Sequence, residues 1–305
     1  MSELIKIAVD AMGGDGSPKK VIDGIIHNHK TDNSNFFKIF GDKDEIKKHI
    51  EGKINDACYE IAHTTNVVKS TDSPLEAAKR GKDTSMWLAI ESVKKKETDI
   101  VISAGNTGAL LVIAKLNLKM IENIDKPALS ALWPNKKGMS VVLDLGANIE
   151  CSSKNLVDFS IMGSSLYKSL YPNETPNVAL LNIGSEELKG NEIIKETYQT
   201  LNEKKSKNFD FAGYIEGNEL MNGNVNVIVS DGFTGNVALK TAEGTANFIT
   251  NELKQALSGS ILAKISSILN LSNLKKFKKR LDPRLYNGAI FIGLSLIHIS
   301  EPTRL

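Results

Sequence analysis

The chain has few residues of the kinds that hold metals or form disulfides. It contains two cysteines and five histidines among 305 residues. Neither Cys58 nor Cys151 lies in a zinc-binding or redox spacing, and the histidines show no metal-ligand spacing. We therefore expect no metal and no other cofactor, and both cysteines should be free thiols in a reducing cytoplasm.

Long hydrophobic runs and a strong net charge are also missing. No apolar run reaches the roughly 18 residues that a transmembrane helix needs, so we expect none. Lys6 and Asp10 interrupt the first apolar stretch, which argues against a signal peptide. The net charge of +2 is too small to indicate a nucleic-acid partner.

Two common catalytic motifs are absent as well. The sequence has no G-x-x-x-x-G-K-S/T loop, which argues against a P-loop nucleotide site. It has no G-x-S-x-G elbow, which argues against a hydrolase with a nucleophile and a triad. The composition, 41% hydrophobic and 24% charged, is that of an ordinary soluble globular protein with a large core.

The residues that are present form a repeated strand-and-turn pattern, which begins at residues 7–15. There an apolar run ends in Asp10, and two glycines precede Asp15. A short apolar run bounded by glycine predicts a buried strand. Ser17 and Pro18 then predict a helix start, with Ser17 as N-cap and Pro18 as the first helical residue.

The same pattern recurs along the chain and predicts an α/β fold with a mostly parallel sheet. Apolar runs lead into polar, glycine-bearing turns at 103–108, 144–148, 184–190 and 230–236. Ligands bind at the carboxyl ends of strands in such sheets, so these turns predict one polar crevice. A tight turn at 134–138 predicts one antiparallel strand pair.

Two of these turns lead into helices and have the composition of an anion site. The turns at Ser103 and Asp231 carry Asn, Thr and two glycines, and a helix N-terminus offers unpaired N–H groups. One terminus contributes roughly 0.3–1 kcal/mol, so a phosphate dianion needs two or a cation. Lys189 is the best-placed cation. The alternative is that the glycines only permit tight turns and Lys189 is a solvated surface lysine.

Six motifs, in order, resemble those of the bacterial phosphate acyltransferases of phospholipid synthesis. They occupy residues 7–15, 103–109, 144–148, 181–190, 213–217 and 231–236. The resemblance implies a three-layer α/β/α fold like those of isocitrate and isopropylmalate dehydrogenases and of phosphotransacetylases. It also implies a homodimer, and a single acyltransferase domain over residues 1–294.

The resemblance implies transfer of a fatty acyl group from acyl-[acyl carrier protein] to inorganic phosphate. The acyl phosphate product would feed a membrane glycerol-3-phosphate acyltransferase. The protein would be cytoplasmic with peripheral membrane contact. Phosphate is itself the nucleophile, so positioning of the two substrates can supply much of the catalysis.

The resemblance also directs the choice of site residues. We expect Lys189 to neutralise developing charge, while Asp231 and Asp10 orient donors or accept a phosphate proton. The predicted substrate-binding residues are Gly13, Gly14, Asp15, Gly105, Asn106, Thr107, Asn148, Thr234, Gly235 and Asn236. The acidic carrier protein should dock on a basic face, for which the candidates are Arg80, Lys82 and Lys275–Arg280.

Residues 258–280 form an amphipathic segment with a basic flank, which suits either a membrane surface or a dimer helix. The sequence departs from the family after Leu294, where a further strand and helix normally follow. We therefore expect residues 295–305 to be a non-family tail, and His298 is not taken as a family histidine.

Three other functions are compatible with these motifs. Two are enzymes of the same fold, namely a phosphotransacetylase that acts on acyl-CoA and an NAD-dependent hydroxyacid dehydrogenase. The third is a non-enzymatic scaffold that binds a membrane surface through residues 258–280.

Overall fold

The computed structural model describes residues 4–260, 268–281, 288–295 and 299–301. These residues belong to two compact units. The described residues up to 130 and from 288 onward form unit 1, and those between 131 and 281 form unit 2. His298 and residues 261–267 of the amphipathic segment lie outside the described residues, as do the side chains of Arg80 and Lys278–Arg280.

Strands and helices alternate along most of the chain. The described strands are β1 (Ile5–Asp10), β2 (Asn35–Gly41), β3 (Tyr59–His63), β4 (Ile100–Ser103), β5 (Ala128–Pro134), β6 (Met139–Leu143), β7 (Asn177–Asn182), β8 (Asp210–Glu216), β9 (Val227–Val229), β10 (Ala289–Ile292) and β11 (Ile299–Glu301). The described helices are α1 (Lys19–Thr31), α2 (Lys43–Ile50), α3 (Pro74–Arg80), α4 (Ser85–Lys94), α5 (Thr107–Asn117), α6 (Ser153–Leu170), α7 (Glu192–Glu203), α8 (Gly232–Ser258) and α9 (Leu271–Leu281).

The architecture is the predicted three-layer α/β/α fold with a mostly parallel sheet. In unit 1 the strand order is β3-β2-β1-β4-β11-β10. In this order, each neighbouring pair from β3 along to β11 is parallel, whereas β11 and β10 are antiparallel. Ile22, Ile25 and Ile26 of α1 are buried in a core that includes Val9 and Ile39. Helix α1 therefore buries one apolar face, as its sequence period predicts.

In unit 2 the strand order is β6-β9-β7-β8, and all three pairs are parallel. Their carboxyl ends therefore lie side by side at one edge. Helix α6 packs on β6 and β9 at Gly163, where a Cβ would lie 2.6 Å from Val227 Cγ1 and 2.8 Å from Leu143 Cδ2. The absence of a side chain at Gly163 lets the helix approach the sheet closely.

The turn between β5 and β6 confirms the predicted tight connection. Asn135 N donates to the carbonyl of Gly138 at 3.0 Å. A turn this short joins neighbouring strands in antiparallel orientation. This connection contrasts with the helical crossovers that join the parallel strands.

Helix starts are predicted with mixed success. The sequence Ser73-Pro74-Leu75-Glu76 predicts a helix start, and Ser73 does cap α3, where its hydroxyl accepts from Glu76 N at 3.3 Å. The prediction that Ser17 caps α1 is wrong, because α1 begins at Lys19 and Pro18 occupies the cap position. The Ser17 hydroxyl instead donates to the carbonyl of Gly13. The glycine turn thus uses the hydroxyl that a cap would have needed.

Helices α8 and α9 expose much apolar surface. Of the 27 residues of α8, only Gly232 and Gly235 are buried. Phe248 is 65% exposed, and Phe277 of α9 is 41% exposed. Within the described ranges, no helix combines the length and hydropathy needed to cross a bilayer.

Candidate functional site

The first predicted site cluster lies in unit 1, where β1 and β4 end side by side. Asp10 and Ser103 are register partners, so the turns that follow them, residues 11–15 and 104–106, lie together. Ser103 Oγ donates to Asp10 Oδ2 at 2.7 Å, and Met12 N donates to Asp10 Oδ1 at 3.3 Å. The buried carboxylate therefore connects the two turns.

Asp10 is only 1% exposed, which changes its protonation chemistry. Burial raises the pKa of Asp10 above its ordinary value of 3.8, because the charged form loses water. The hydroxyls of Ser85 and Ser103 and the N–H groups of Met12 and Gly13 oppose part of that rise. The carboxyl is thus held among donors and away from solvent.

Glycines allow the two turns of unit 1 to touch. A Cβ on Gly13 would lie 2.6 Å from Asp10 Oδ2 and 2.8 Å from the Gly105 nitrogen. Gly14 has φ +87, and a Cβ there would collide with the carbonyl of Ala104. Two of the predicted binding residues, Gly13 and Gly14, are therefore required where the two turns meet, whereas a Cβ on Gly105 would meet side chains, with Met86 Cε at 2.5 Å.

The side chain of Asn106 is occupied by structural contacts. Its Oδ1 caps α5 by accepting from Ala109 N at 3.1 Å. Its Nδ2 donates to the carbonyls of Ser70 at 3.2 Å and Asp72 at 3.1 Å. Asn106 thus fixes the start of α5, whose first residue is Thr107, and clamps the loop before α3.

That loop borders a cavity that the sequence motifs do not indicate. The cavity has a volume of about 380 Å³ and includes Asp72, Glu76, Asp83, Thr84 and Val68 in its lining. Three carboxylates would repel a phosphate dianion, so this cavity is unsuited to that ligand.

The second cluster lies in unit 2, where β6 and β9 end together. Asp144 directly follows β6 and is 0% exposed. Its Oδ1 accepts from Gly146 N at 3.2 Å and Ala147 N at 3.0 Å. Its Oδ2 accepts from Asn148 N and Asn148 Nδ2, both at 2.8 Å. One carboxylate therefore shapes the whole 144–148 turn.

The turn after β9 packs against that loop through its glycines. Gly232 N donates to the carbonyl of Asn148 at 2.8 Å, and a Cβ on Gly232 would lie 2.6 Å from the same oxygen. A Cβ on Gly235 would collide with the carbonyl of Asp144. Asn236 is exposed and lies over Gly146, where a Cβ would be 3.7 Å from the Asn236 side chain.

Asp231 and Thr234 form the cap of α8. Asp231 Oδ1 accepts from Thr234 N at 2.8 Å, and Asp231 Oδ2 accepts from Thr234 Oγ1 at 2.9 Å. Asp231 is half-buried and Thr234 is exposed. The carboxylate that we predicted as catalytic thus orients the threonine that we predicted to bind substrate.

Lys189 lies in the loop after β7, the strand next to β9. Asn182 Nδ2 donates to the carbonyls of Gly184 and Lys189, both at 3.1 Å, and so closes the loop. Lys189 is exposed. The sheet order therefore brings the loops of β6, β9 and β7 to one edge of unit 2, which supports part of the predicted crevice.

The predicted site residues differ in whether their side chains are engaged in internal hydrogen bonds or are exposed to solvent. Asp10, Asn106 and Asn148 are engaged in internal hydrogen bonds. Asp15, Lys189 and Asn236 are exposed at the turns. Asp144, Ser103 and Asn182 are organising residues that the sequence reasoning missed. Each is an Asp, Ser or Asn at a strand end before glycine, and that signal was available.

Metal chemistry receives no support from the described side chains. Across the described ranges, no group of three or more His, Cys, Asp or Glu residues is arranged to hold an ion. Cys58, which is half-buried, and Cys151, which is buried, form no disulfide.

The class of protein is shown by similarity to proteins of known family. The family model described as "Fatty acid synthesis protein" matches residues 5–301. Phosphate acyltransferase from Pelagibacter ubique is 75% identical over 294 residues, which cover 96% of this chain and 88% of that protein. Phosphate acyltransferase from Maricaulis maris is 43% identical over 308 residues, with 99% and 87% covered. These matches define an acyltransferase.

The chain belongs to the phosphate acyltransferase family, as its motifs predicted. Solved structures extend the likeness of the fold. A branched-chain phosphotransacylase from Enterococcus faecalis V583 matches with TM-score 0.59 and 11% identity, covering 98% of this chain and 92% of that one. A phosphotransacetylase from Streptococcus pyogenes matches with TM-score 0.58 and 14% identity, covering 79% and 82%. At these identities the likeness concerns the fold alone.

Proposed function

We propose that this phosphate acyltransferase takes its acyl group from acyl-[acyl carrier protein] and makes acyl phosphate for phospholipid synthesis. The observation that carries the proposal is apolar surface beside the polar turns of unit 2. Ile183 is 82% exposed and Leu188 is 85% exposed, and both lie in the loop after β7 that carries Lys189. Ile149 and Phe233, 75% and 63% exposed, follow the ends of β6 and β9.

An apolar rim around a polar strand edge suits a long acyl chain better than a small acyl group. Exposed large side chains that cluster beside a functional site mark a binding surface. A fatty chain would bury these side chains, and each fully buried one contributes about 1.5–3 kcal/mol. The rim therefore supports a fatty acyl donor over a short acyl thioester.

The proposed reaction needs no protein nucleophile. An oxygen of the phosphate dianion attacks the thioester carbonyl carbon, and the C–S bond then breaks. The carrier leaves as a thiolate, which takes up a proton from water. The other product is acyl phosphate. The protein's contribution is to hold the anion against the carbonyl and to stabilise the oxyanion.

We assign a role to each site residue from its exposure and its hydrogen bonds. Lys189 neutralises charge as it develops, since its side chain is exposed in the loop after β7. Thr234 and Asn236 hold phosphate, with Asp231 orienting Thr234. In unit 1, the turn at Gly105–Thr107 and the exposed Asp15 face substrate, while Gly13 and Gly14 permit the close packing of that turn.

Partners follow from charge and apolar exposure. Lys82, Lys275 and Lys276 are exposed and offer basic docking surface for an acidic carrier protein. The exposed apolar residues of α8 and α9 supply a homodimer contact or a peripheral contact with a membrane, where a glycerol-3-phosphate acyltransferase would take the product. The protein would thus act in the cytoplasm next to a membrane.

The deciding experiment is phosphate-dependent cleavage of the thioester. Palmitoyl-[acyl carrier protein] is incubated with the protein with and without inorganic phosphate, and free thiol and acyl phosphate are followed. We expect both products only with phosphate. Reaction with palmitoyl-CoA but not with the carrier thioester would favour a phosphotransacetylase. Vesicle binding without turnover would favour a membrane scaffold.

The role of Lys189 is tested in the same assay. We expect Lys189→Met to lower kcat/KM by about a hundredfold, as removal of one oxyanion-stabilising donor does in other enzymes. Lys204→Met, which changes another exposed lysine of unit 2, is the matched control. Equal rates for the two variants would make Lys189 a solvated surface lysine.

A further inference from the structure

The same six-residue pattern, S-x-G-x-T-G, occurs once in each unit. It occupies residues 103–108 and residues 230–235. Each copy starts at the carboxyl end of a parallel strand, β4 or β9, and runs into a helix, α5 or α8. Each also lies beside a strand with a buried aspartate at its carboxyl end. Asp10 is the last residue of β1, and Asp144 directly follows β6.

In unit 1 the aspartate reaches the turn through a serine. Gly105 N donates to Ser103 Oγ at 3.1 Å, and Ser103 Oγ donates to Asp10 Oδ2 at 2.7 Å. The first glycine of the pattern is thus connected to the carboxylate by one intermediate group. Its N–H is held in place by that chain of hydrogen bonds.

In unit 2 the aspartate reaches the turn through an asparagine. Gly232 N donates to the carbonyl of Asn148 at 2.8 Å. Asn148 N and Nδ2 both donate to Asp144 Oδ2 at 2.8 Å. Here too the first glycine of the pattern is connected to the carboxylate by one intermediate residue.

We infer that Asp10 and Asp144 are matched positioning residues, each of which holds the first glycine of an S-x-G-x-T-G turn in its binding-competent position. The inference rests on the proposed function, in which these turns hold substrate. It moves Asp10 out of the group of candidate catalytic residues, because a side chain 1% exposed lies beneath the turn instead of facing substrate. It also assigns the same role to Asp144.

The donor pattern explains why an aspartate is needed in both places. An ionised carboxylate accepts on both oxygens, whereas an amide accepts on one end and donates on the other. Asp144 meets N–H donors at both oxygens, and Asp10 meets Ser103 at one oxygen and Met12 N at the other. At Asp144 an asparagine would place an NH₂ group against an N–H donor, and a buried unmatched donor is costly. At Asp10 the NH₂ group would meet either Met12 N or the Ser103 hydroxyl, which would then have to turn its proton away from residue 10.

Amide hydrogen exchange tests the inference without substrate. In Asp10→Asn we expect exchange at residues 12–14 and 105–109 to rise by about tenfold or more, with residues 232–235 unchanged. In Asp144→Asn we expect the rise at residues 146–148 and 232–235, with residues 105–109 unchanged. A uniform rise across the molecule, or no rise at the paired turn, would overturn the positioning role.

Kinetics separates positioning from acid–base catalysis. If phosphate binds at these turns, each variant should raise the KM for phosphate by about tenfold, equivalent to about 1.4 kcal/mol. The pH profile of kcat/KM should keep both of its limbs. Loss of a limb in Asp10→Asn or Asp144→Asn would make that residue an acid or base and defeat the inference.

Ser103→Ala provides a milder test should either Asn variant fail to fold. It breaks the connection between Asp10 and Gly105 and keeps the aspartate. Faster exchange at 105–109 is expected, with residues 146–148 unchanged, and unchanged exchange at Gly105 would contradict the inference. A wild-type protein without phosphate-dependent turnover would refute the proposed function, while the exchange data would still decide the pairing of aspartate and turn.

Discussion

At the scale of single residues, the buried strand-end aspartates differ from ordinary surface acids. Asp10 lies among hydroxyl and N–H donors, yet burial raises its pKa. The cost of removing the charge from water therefore exceeds what those donors return. Such a residue makes folding stability depend on pH in a direction opposite to that of a paired surface carboxylate.

The sign of this dependence follows from proton linkage. The folded-state pKa of Asp10 is raised, so the folded state binds its proton more readily than the unfolded state does. Its contribution to stability is present below the unfolded value near 3.8 and is lost as pH rises through the folded pKa. We expect the unfolding free energy of wild type, relative to Asp10→Asn, to fall as pH rises above about 4. Urea titrations across that range measure the difference.

Asp32→Asn is the control with the opposite sign. The Ser34 hydroxyl donates to Asp32 and lowers its pKa, so its small contribution is lost as pH falls. A stability difference for Asp10→Asn that is flat or that grows with pH would contradict the effect of burial at Asp10.

At the scale of elements, the approach of α6 to the sheet depends on one missing side chain. There is no room for a Cβ at Gly163, because the fully buried side chains of Val227 and Leu143 lie against it. Because β6 and β9 carry Asp144 and Ser230 at their ends, displacement of α6 would also shift the site of unit 2.

We expect Gly163→Ala to destabilise the protein by about 1–3 kcal/mol, the usual cost of overpacking a core. Gly244→Ala is the matched control on α8, because nothing lies within 4 Å of its Cβ position. Its replacement should stabilise the helix by up to about 1 kcal/mol. Chemical denaturation measures both values. Equal effects at the two positions would show that α6 can move at little cost.

At the scale of the whole molecule, the exposed face of α8 is the feature that points to assembly. Phe248 and Ile249 are 65% and 46% exposed on a helix that buries only two glycines. Apolar surface of this kind is covered by a partner in many soluble proteins. The proposed homodimer would cover it.

We expect Phe248→Asp to raise the dimer dissociation constant by about tenfold or more, as removal of a buried aromatic anchor does. Thr245→Asp adds the same charge at another exposed position of α8 and should have less effect. Analytical ultracentrifugation over a range of concentrations measures both. If wild type is monomeric and binds anionic vesicles through Phe248, the face is a membrane contact.

Local features of the sequence determined the elements and the turns. Apolar runs, glycines and cap residues depend on neighbours within a few positions, so β1, the Ser73 cap of α3 and the five polar strand ends could be predicted from the residues alone. The family could be predicted because its motifs are short and continuous. The alternation of strands and helices predicted an α/β fold with a mostly parallel sheet, and the family resemblance implied its three layers.

The tertiary structure alone decided which of these turns meet. Strand order places β1 beside β4 and β6 beside β9, and this pairs Asp10 with Gly105 and Asp144 with Gly232. It also decided that the Ser17 hydroxyl serves the glycine turn and that Asn106 clamps a loop. These outcomes depend on groups far apart in the chain, whose burial and hydrogen-bond partners exist only once the strands have paired.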